Sequence, residues 1–330
     1  MDISVVIPTY NRCAVLLRCL RALEAQALDR RRYEIIVVDD GSTDDTPDRL
    51  QSLISPEVVR YYRQPNSGPA RARNVGIRAA RGQIVLFLGD DILAAPQLLT
   101  EHVSWHHRFS PETIAVLGFT DWSDGIGVTP LMTYEGKGSQ FGYHLIETGV
   151  VDPHNLPYRF FYTSNASVSR QFLMDHGLFF DEDFPYAMGE DGELAYRMQQ
   201  KGLRIIYNPR ALAYHEHPTT FESICRRSFL KGQMAALQVK KHPEWGDLSF
   251  LDLGWKGKIK RLVYRWVVWG ISPLLKLADR RRWNIRRLGL HHWYDFVFQA
   301  YQFEGLIRGA HVYHVPVPNR TSATRSTQAH

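Results

Sequence analysis

Along the first 120 residues, short runs of consecutive apolar residues alternate with stretches in which apolar residues recur every three or four positions. The runs "ISVVIPT", "YEIIVVDD", "EVVRYYR" and "QIVLFLGDD" have the length and β-branched content of strands covered on both faces. Between them, "AVLLRCLRALEAQ" sets Leu16, Leu20 and Leu23 on one helical face. "STDDTPDRLQSLI" opens on Ser, Thr and Asp, the residues that cap a helix start, and "GPARARNVGIRAARG" reads as a third helix. Strand alternating with helix predicts a mostly parallel sheet flanked by helices, an α/β fold.

Residues 121–160 are rich in Gly, Pro, Tyr and His without a clear period and read as loops. "YTSNASVSRQFLMDHG" predicts a strand and a short helix, "GEDGELAYRMQQKG" an acidic helix start, and "LRIIYNPRALAYHEHP" a last strand or two. From 221 the chain is helical in pattern, basic and aromatic. The expected organisation is a catalytic domain over 1–220, a helical extension over 221–314 and a polar, disordered tail over 315–330.

Charge sharpens this division. The net charge of +6 hides an acidic front part, with 26 Lys/Arg against 31 Asp/Glu in residues 1–254, and a basic stretch over 255–314 with 12 against 3. In "KGKIKRLVYRWVVWGISPLLKLADRRRW", Ile259, Leu262, Val263 and Trp266 fall at helical spacing, with Lys258, Arg261 and Arg265 towards the other side. No stretch has the 18 or so uninterrupted apolar residues of a membrane span. Peripheral contact with an anionic membrane, packing on the catalytic domain and packing as a dimer face are all open readings of this helix. No nucleic-acid-binding module is recognisable, and no nucleic-acid partner is expected. Three scattered cysteines, Cys13, Cys19 and Cys225, suit a reducing compartment. The start "MDISVVIPTYNR" carries no export signal, so a cytoplasmic location is expected, with the inner face of the cytoplasmic membrane as the place of any peripheral contact.

Ligands of open α/β sheets bind beyond the carboxyl ends of the strands, and here those ends carry "PTYN", "DDGS" and "GDD". Neither GxGxxG nor GxxxxGK[ST] is present, so a nucleotide's phosphates would need another partner. A divalent cation, Mn²⁺ or Mg²⁺, would serve, because it neutralises a diphosphate and takes carboxylate oxygens with some imidazole. Asp90 and Asp91 are its obvious ligands, although "GDD" also suits a plain turn.

"VVIPTYNR", "IIVVDDGSTDDT", "GPARARNVGIRAARGQIVLFLGDD", "GEDGELAYRMQQKG" and "AYHEH", in that order, resemble the inverting glycosyltransferases of family 2, which have the GT-A fold. The resemblance covers residues 1–217, about two thirds of the chain. It implies a nucleotide-sugar donor, with a UDP-sugar expected, and a saccharide or lipid-linked saccharide acceptor. It puts Pro8, Tyr10 and Asn11 at the nucleotide site, with Pro8 and Tyr10 packing against the base. It makes Asp40 the acceptor of a base N–H, with Asp39 supporting it. Arg73 falls near base or phosphate, Asp90 near the ribose, Asp91 at the metal, and His215 at a later metal or diphosphate contact with His217 as its substitute. Gly89 stands where many relatives carry an acid.

In such enzymes an acceptor hydroxyl loses its proton as it attacks, so a carboxylate is needed on the acceptor side. The resemblance gives that role to Asp191. The positive end of the helix that begins there favours its ionised form. Glu190 would position the acceptor or support the loop, and Glu193 and Arg197 form an i,i+4 pair expected on the exposed face. Two alternatives remain at this level: a transferase acting on polyprenyl phosphate, which shares the early motifs, and a non-catalytic sugar-nucleotide or carbohydrate binder.

Overall fold

The computed structural model describes residues 1–53, 59–109, 113–135, 140–246, 248 and 255–315. The disordered tail expected over 315–330 lies, apart from its first residue, outside the described residues. Two compact units account for the chain: Met1–Val128 with Glu135–Pro218, and Thr129–Tyr134 with Thr219–His330. The short segment Thr129–Tyr134, which the sequence places in the catalytic domain, clusters with the C-terminal unit instead.

In the first unit β1 (Ile3–Thr9) leads to helix α1 (Cys13–Glu24), β2 (Tyr33–Asp39) to α2 (Thr46–Leu53), and β3 (Val59–Arg63) to α3 (Pro69–Ala79). β4 (Ile84–Leu88) and β5 (Ile92–Ala94) follow, then α4 (Leu98–Arg108) and β6 (Ile114–Trp122). The stretch read as loops begins inside β6 and holds two short α-helices, α5 (Pro130–Glu135), nearly all of which belongs to the second unit, and α6 (His144–Glu147) of the first. β7 (Asn165–Ser169), α7 (Arg170–Asp175), α8 (Glu190–Gln200) and β8 (Arg204–His215) complete the unit.

The eight strands form one sheet in the order β3-β2-β1-β4-β7-β6-β8-β5. Most of its pairings are parallel: β3, β2, β1 and β4 run the same way, as do β6 and β8. β7 is antiparallel to both neighbours and β5 is antiparallel to β8. Alternation along the strands serves two cores. Val6, Ile36, Val38, Val85 and Phe87 face one side with Leu194 and Met198 of α8. Their neighbours Val5, Ile7, Ile35, Val37 and Leu86 face the other and pack with Leu16, Leu20 and Leu23 of α1. Burial on both faces is why these strands read as unbroken apolar runs.

The second unit contains three long helices, α9 (Phe221–Lys241), α10 (Trp255–Arg280) and α11 (His291–Val312). α9 and α11 approach at backbone contact. A Cβ added at Gly232 would lie 1.8 Å from the Gln302 carbonyl oxygen, and one at Gly305 1.8 Å from that of Phe229. Only glycine permits this crossing.

Candidate active site

The carboxyl ends of β1, β2 and β4 stand side by side because these strands are neighbours in register, with Thr9 opposite Asp39. β4 stops at Leu88, so Asp90 and Asp91 belong to the turn into β5 rather than to the strand. β8 brings the C-terminal motif to the same place, since His215 pairs with Ile92 of β5 and Trp122 of β6.

Asp91 is the centre of this group. Its Oδ2 lies 3.0 Å from His215 Nε2 and 3.5 Å from His217 Nδ1, and accepts a hydrogen bond from Arg12 Nη2 at 2.7 Å. Ligand atoms of Asp91, His215 and His217 all fall within 4.8 Å of one another. The two imidazoles stack at 5.5 Å, and Trp122 stacks on His215 at 5.6 Å. Burial opposes ionisation of Asp91, but the hydrogen bond and charge of His215, together with Arg12, hold it well below the usual carboxylate range. One carboxylate with two imidazoles is a mixed oxygen and nitrogen donor set, which suits Mn²⁺ better than the oxygen-preferring Mg²⁺. His217, read from the sequence as a substitute for His215, stands beside it.

Asp90 is bound differently. Thr9 Oγ1 donates to its Oδ2 at 2.8 Å and Arg12 Nη1 lies 3.1 Å from its Oδ1. Burial, and then the neighbouring charge of Asp91, push the Asp90 carboxyl up to about 7.

Arg12 is the side chain of this group that sequence reasoning missed. It joins both acids, lies 3.1 Å from His217 Nδ1 and keeps a third of its side chain exposed. Its place in "PTYNR", immediately after the first strand, was the one hint in the sequence, and an ordinary one. Gly89 also has a local reason: a Cβ there would stand 2.9 Å from Asp91 Oδ1 and press on the carboxylate.

Around the neighbouring strand ends, several expected contacts hold loops. Asn11, at φ 54, receives the backbone N–H of Thr43 on its Oδ1 at 2.7 Å and donates its own N–H to Ser42 Oγ. Asp39 is fully buried, accepting from Ser42 N–H and Tyr61 O–H. Asp40 accepts three hydrogen bonds, from Gln64 Nε2 at 2.7 Å, Ser67 N–H at 2.9 Å and Gly68 N–H at 2.8 Å. A carboxylate has about four acceptor positions, so about one is left. Pro8 is half-buried in β1, while the Tyr10 ring is 45% exposed and can receive a flat partner.

The acidic helix start forms a second group. Gly189, at φ 90, turns the chain into α8 and places Glu190 and Asp191 in its first turn. Glu190 is buried against Arg73, Oε1 to Nη1 at 2.7 Å, and its Oε2 is buried with no hydrogen-bond partner among the described residues. Arg73 also lies over the Phe180 ring at 5.3 Å. Burial, then the charge of Asp191, push Glu190 up to about 7 against the pull of Arg73. Asp191 is half-buried and raised by burial, again with Arg73 opposing. Glu193 and Arg197 pair at 2.8 Å as the spacing predicts, but Glu193 is buried, not exposed, because Arg197 also donates to the Phe179 carbonyl and pulls the pair inward.

The guanidinium of Arg73 favours the ionised forms of Asp90, Glu190 and Asp191 alike. A single buried cation therefore lies within electrostatic reach of both acidic groups. Aromatic rings link them as well. Phe141 stacks on Tyr162 at 4.8 Å and lies 6.3 Å from His215, and Tyr162 is pushed up by burial and by the charge of Asp191.

Comparison with known proteins decides what this arrangement belongs to. The model of the family described as "Glycosyl transferase family 2" matches residues 4–173, which is more than half of the chain. The chain belongs to glycosyl transferase family 2. Among the relatives of this family 2 glycosyltransferase is the uncharacterized glycosyltransferase YfnE of Bacillus subtilis (strain 168), 30% identical over 276 residues, covering 68% of this chain and 67% of that one. Another is validoxylamine A glucosyltransferase of Streptomyces hygroscopicus subsp. jinggangensis (strain 5008), 34% identical, covering 61% and 52%. The chain thus spans about half to two thirds of the length of these relatives. Among solved structures, the mannosyltransferase PcManGT of Pyrobaculum calidifontis, in complex with GDP-Man and Mn²⁺, matches with a TM-score of 0.62 at 21% identity, over 93% of this chain and 86% of that one. S. aureus TarS 1-349 in complex with UDP-GlcNAc matches with 0.52 at 18% identity, over 93% and 92%. These likenesses show the fold, GT-A, as the sequence motifs implied.

Proposed function

We propose that this glycosyltransferase moves a sugar from a nucleotide sugar, a UDP-sugar by preference, to a hydroxyl of a saccharide or lipid-linked saccharide, inverting the anomeric centre in one displacement. The observation that carries this reading is the cluster of Asp91, His215 and His217 at the strand ends, with ligand atoms within 4.8 Å of one another, together with the Arg73–Glu190 pair at 2.7 Å in the first turn of α8. In this reading two acidic groups sharing one buried cation line one cavity from two sides, which is what a single in-line displacement needs.

Tyr10 stacks on the base, and the remaining acceptor position of Asp40 takes a base N–H. Asp91, His215 and His217 would hold a divalent cation, Mn²⁺ or Mg²⁺, which when bound would supply positive charge to offset that of a departing diphosphate. Arg12, a planar fork at the edge of that trio, pairs with a diphosphate oxygen, as guanidinium groups do. On the opposite side Asp191 accepts the proton of the acceptor hydroxyl while the hydroxyl oxygen bonds to the anomeric carbon and the bond to the diphosphate breaks. Arg73 opposes the upward push of burial on Asp191 and anchors Glu190, which fixes the first turn of α8 and the aim of its neighbour.

The single displacement is tested by the product. Nucleotide sugars that raise the melting temperature in the presence of Mn²⁺ identify the donor. The anomeric configuration of the glycoside formed from it, read by proton NMR, is expected to be opposite to that of the donor. Retained configuration overturns the proposal.

A further inference from the structure

The C-terminal unit carries a surface that glycosyl transfer does not use. Helix α10 is apolar on two opposite faces. Leu275 and Ala278 are buried on one face, where Val268 and Ile271 pack against the helical core that holds Leu275. Ile259, Leu262, Trp266, Trp269, Leu274 and Leu277, spaced by helical turns, lie on the other and are all exposed, Trp266 to 63% and Trp269 to 73%. A surface helix needs only one apolar stripe to dock on its own protein. The second is a surplus that water does not favour.

Charge decides what covers it. Over residues 255–290 there are 11 Lys/Arg and a single acid, Asp279. Arg261 and Arg265 flank the outer stripe. A second copy of the chain meeting this face by two-fold symmetry would bring two such basic surfaces together. An anionic bilayer meets both requirements, since tryptophans settle at the headgroup level and arginines pair with lipid phosphates. Beside the stripe, a 780 Å³ groove is lined by apolar residues such as Phe229, Val268 and Trp269 together with Arg261, Arg265, Lys276 and a single acid, Glu304, an amphiphilic and net basic lining suited to an anionic lipid. None of the helices is long and apolar enough to cross a membrane among the described residues, so contact is from the surface.

We propose that the outer face of α10, centred on Trp266 and Trp269 with Arg261 and Arg265 beside it, docks the protein on anionic lipid bilayers. The helix lies in the interface plane with the tryptophans among the headgroups. This docking stands apart from the transfer reaction, and its test reads no activity.

The full chain is sedimented with sucrose-loaded vesicles of phosphatidylcholine alone, and of phosphatidylcholine with about 30% phosphatidylglycerol, at ~0.1 M and ~1 M salt. Binding is expected to the anionic vesicles only and to fall on the order of ten-fold at the higher salt. The pairs W266S/W269S and R261Q/R265Q, none of them at a buried position, are each expected to weaken binding by about ten-fold or more. Brominated lipids should quench tryptophan emission of the unaltered protein, a readout that needs no variant. Equal binding to neutral vesicles, absence of quenching, or full binding by folded W266S/W269S overturns the proposal. Loss of a dimer in that variant, with vesicle binding absent throughout, would overturn it too and assign the face to a second copy.

Discussion

Replacing Arg12 with glutamine removes a guanidinium that touches both Asp90 and Asp91, at 3.1 and 2.7 Å. Both acids are nearly buried, with side chains 7% and 11% exposed, and Thr9 remains with Asp90 while His215 and His217 remain with Asp91. Stranding a fully buried charge costs about 3–5 kcal/mol. Arg12 is a third exposed, so solvent already screens part of its attraction, and about 1–3 kcal/mol is the expected loss. At about 2–4 °C per kcal/mol for a domain near this size, the melting temperature should fall by roughly 3–10 °C. Adding Mn²⁺ should restore most of that difference, because a cation at Asp91, His215 and His217 replaces the lost charge. Mn²⁺ titration of the variant, followed by electron paramagnetic resonance without nucleotide, should show tighter binding than in the parent. Differential scanning fluorimetry with and without Mn²⁺ is the assay. An unchanged melting temperature, or a deficit that Mn²⁺ leaves untouched, refutes the assignment of Arg12 and the trio to one cation site.

Three further outcomes follow from the same geometry. Tyr10→Ala should raise the Kd for nucleotide by about 5- to 100-fold, as the loss of one stacked base does, with little change in melting temperature; isothermal titration checks it. Glu190, raised to about 7 by burial and by Asp191, keeps a proton in the folded state that the unfolded chain loses near pH 4.5. Its contribution to stability is therefore present at low pH and declines as pH rises from about 4.5 through 7, and Glu190→Gln should remove that part of the slope in urea denaturation at about pH 5 and 8. Gly305→Ala forces a methyl group to within 1.8 Å of the Phe229 carbonyl oxygen, and overpacking of this kind should cost about 1–3 kcal/mol or more, seen as a lower urea midpoint.

The first half of the sheet was legible because its strands are covered on both faces and their apolar runs are unbroken, as in "IIVV" and "IVLFL". β5, with three residues, is too short for a period, and α4 escaped because two of its inward residues are polar. His102 and His106 are buried there, hydrogen-bonded to Ser167 of β7, and no helical periodicity of apolar residues shows them. The acids of the site were readable from their place at strand ends and a helix start. Arg12 was not, since an arginine after a strand is ordinary until the fold carries Asp90, Asp91 and His217 to it. The burial of Glu193 has the same origin: an i,i+4 pair gives the spacing, and only the Phe179 carbonyl says which way it faces.

The account rests on Asp191 acting on the acceptor side of a cavity whose donor side is built around Asp91. Asp191→Asn keeps the shape and the hydrogen bond to the Gly192 N–H while removing the proton acceptor. Equilibrium binding of the donor nucleotide sugar with Mn²⁺ and steady-state transfer should be measured on the same preparation. The account predicts a donor Kd within about two-fold of the parent and a kcat lower by about 10² to 10⁴. Transfer at the parent rate, or loss of donor binding in step with activity, would contradict it.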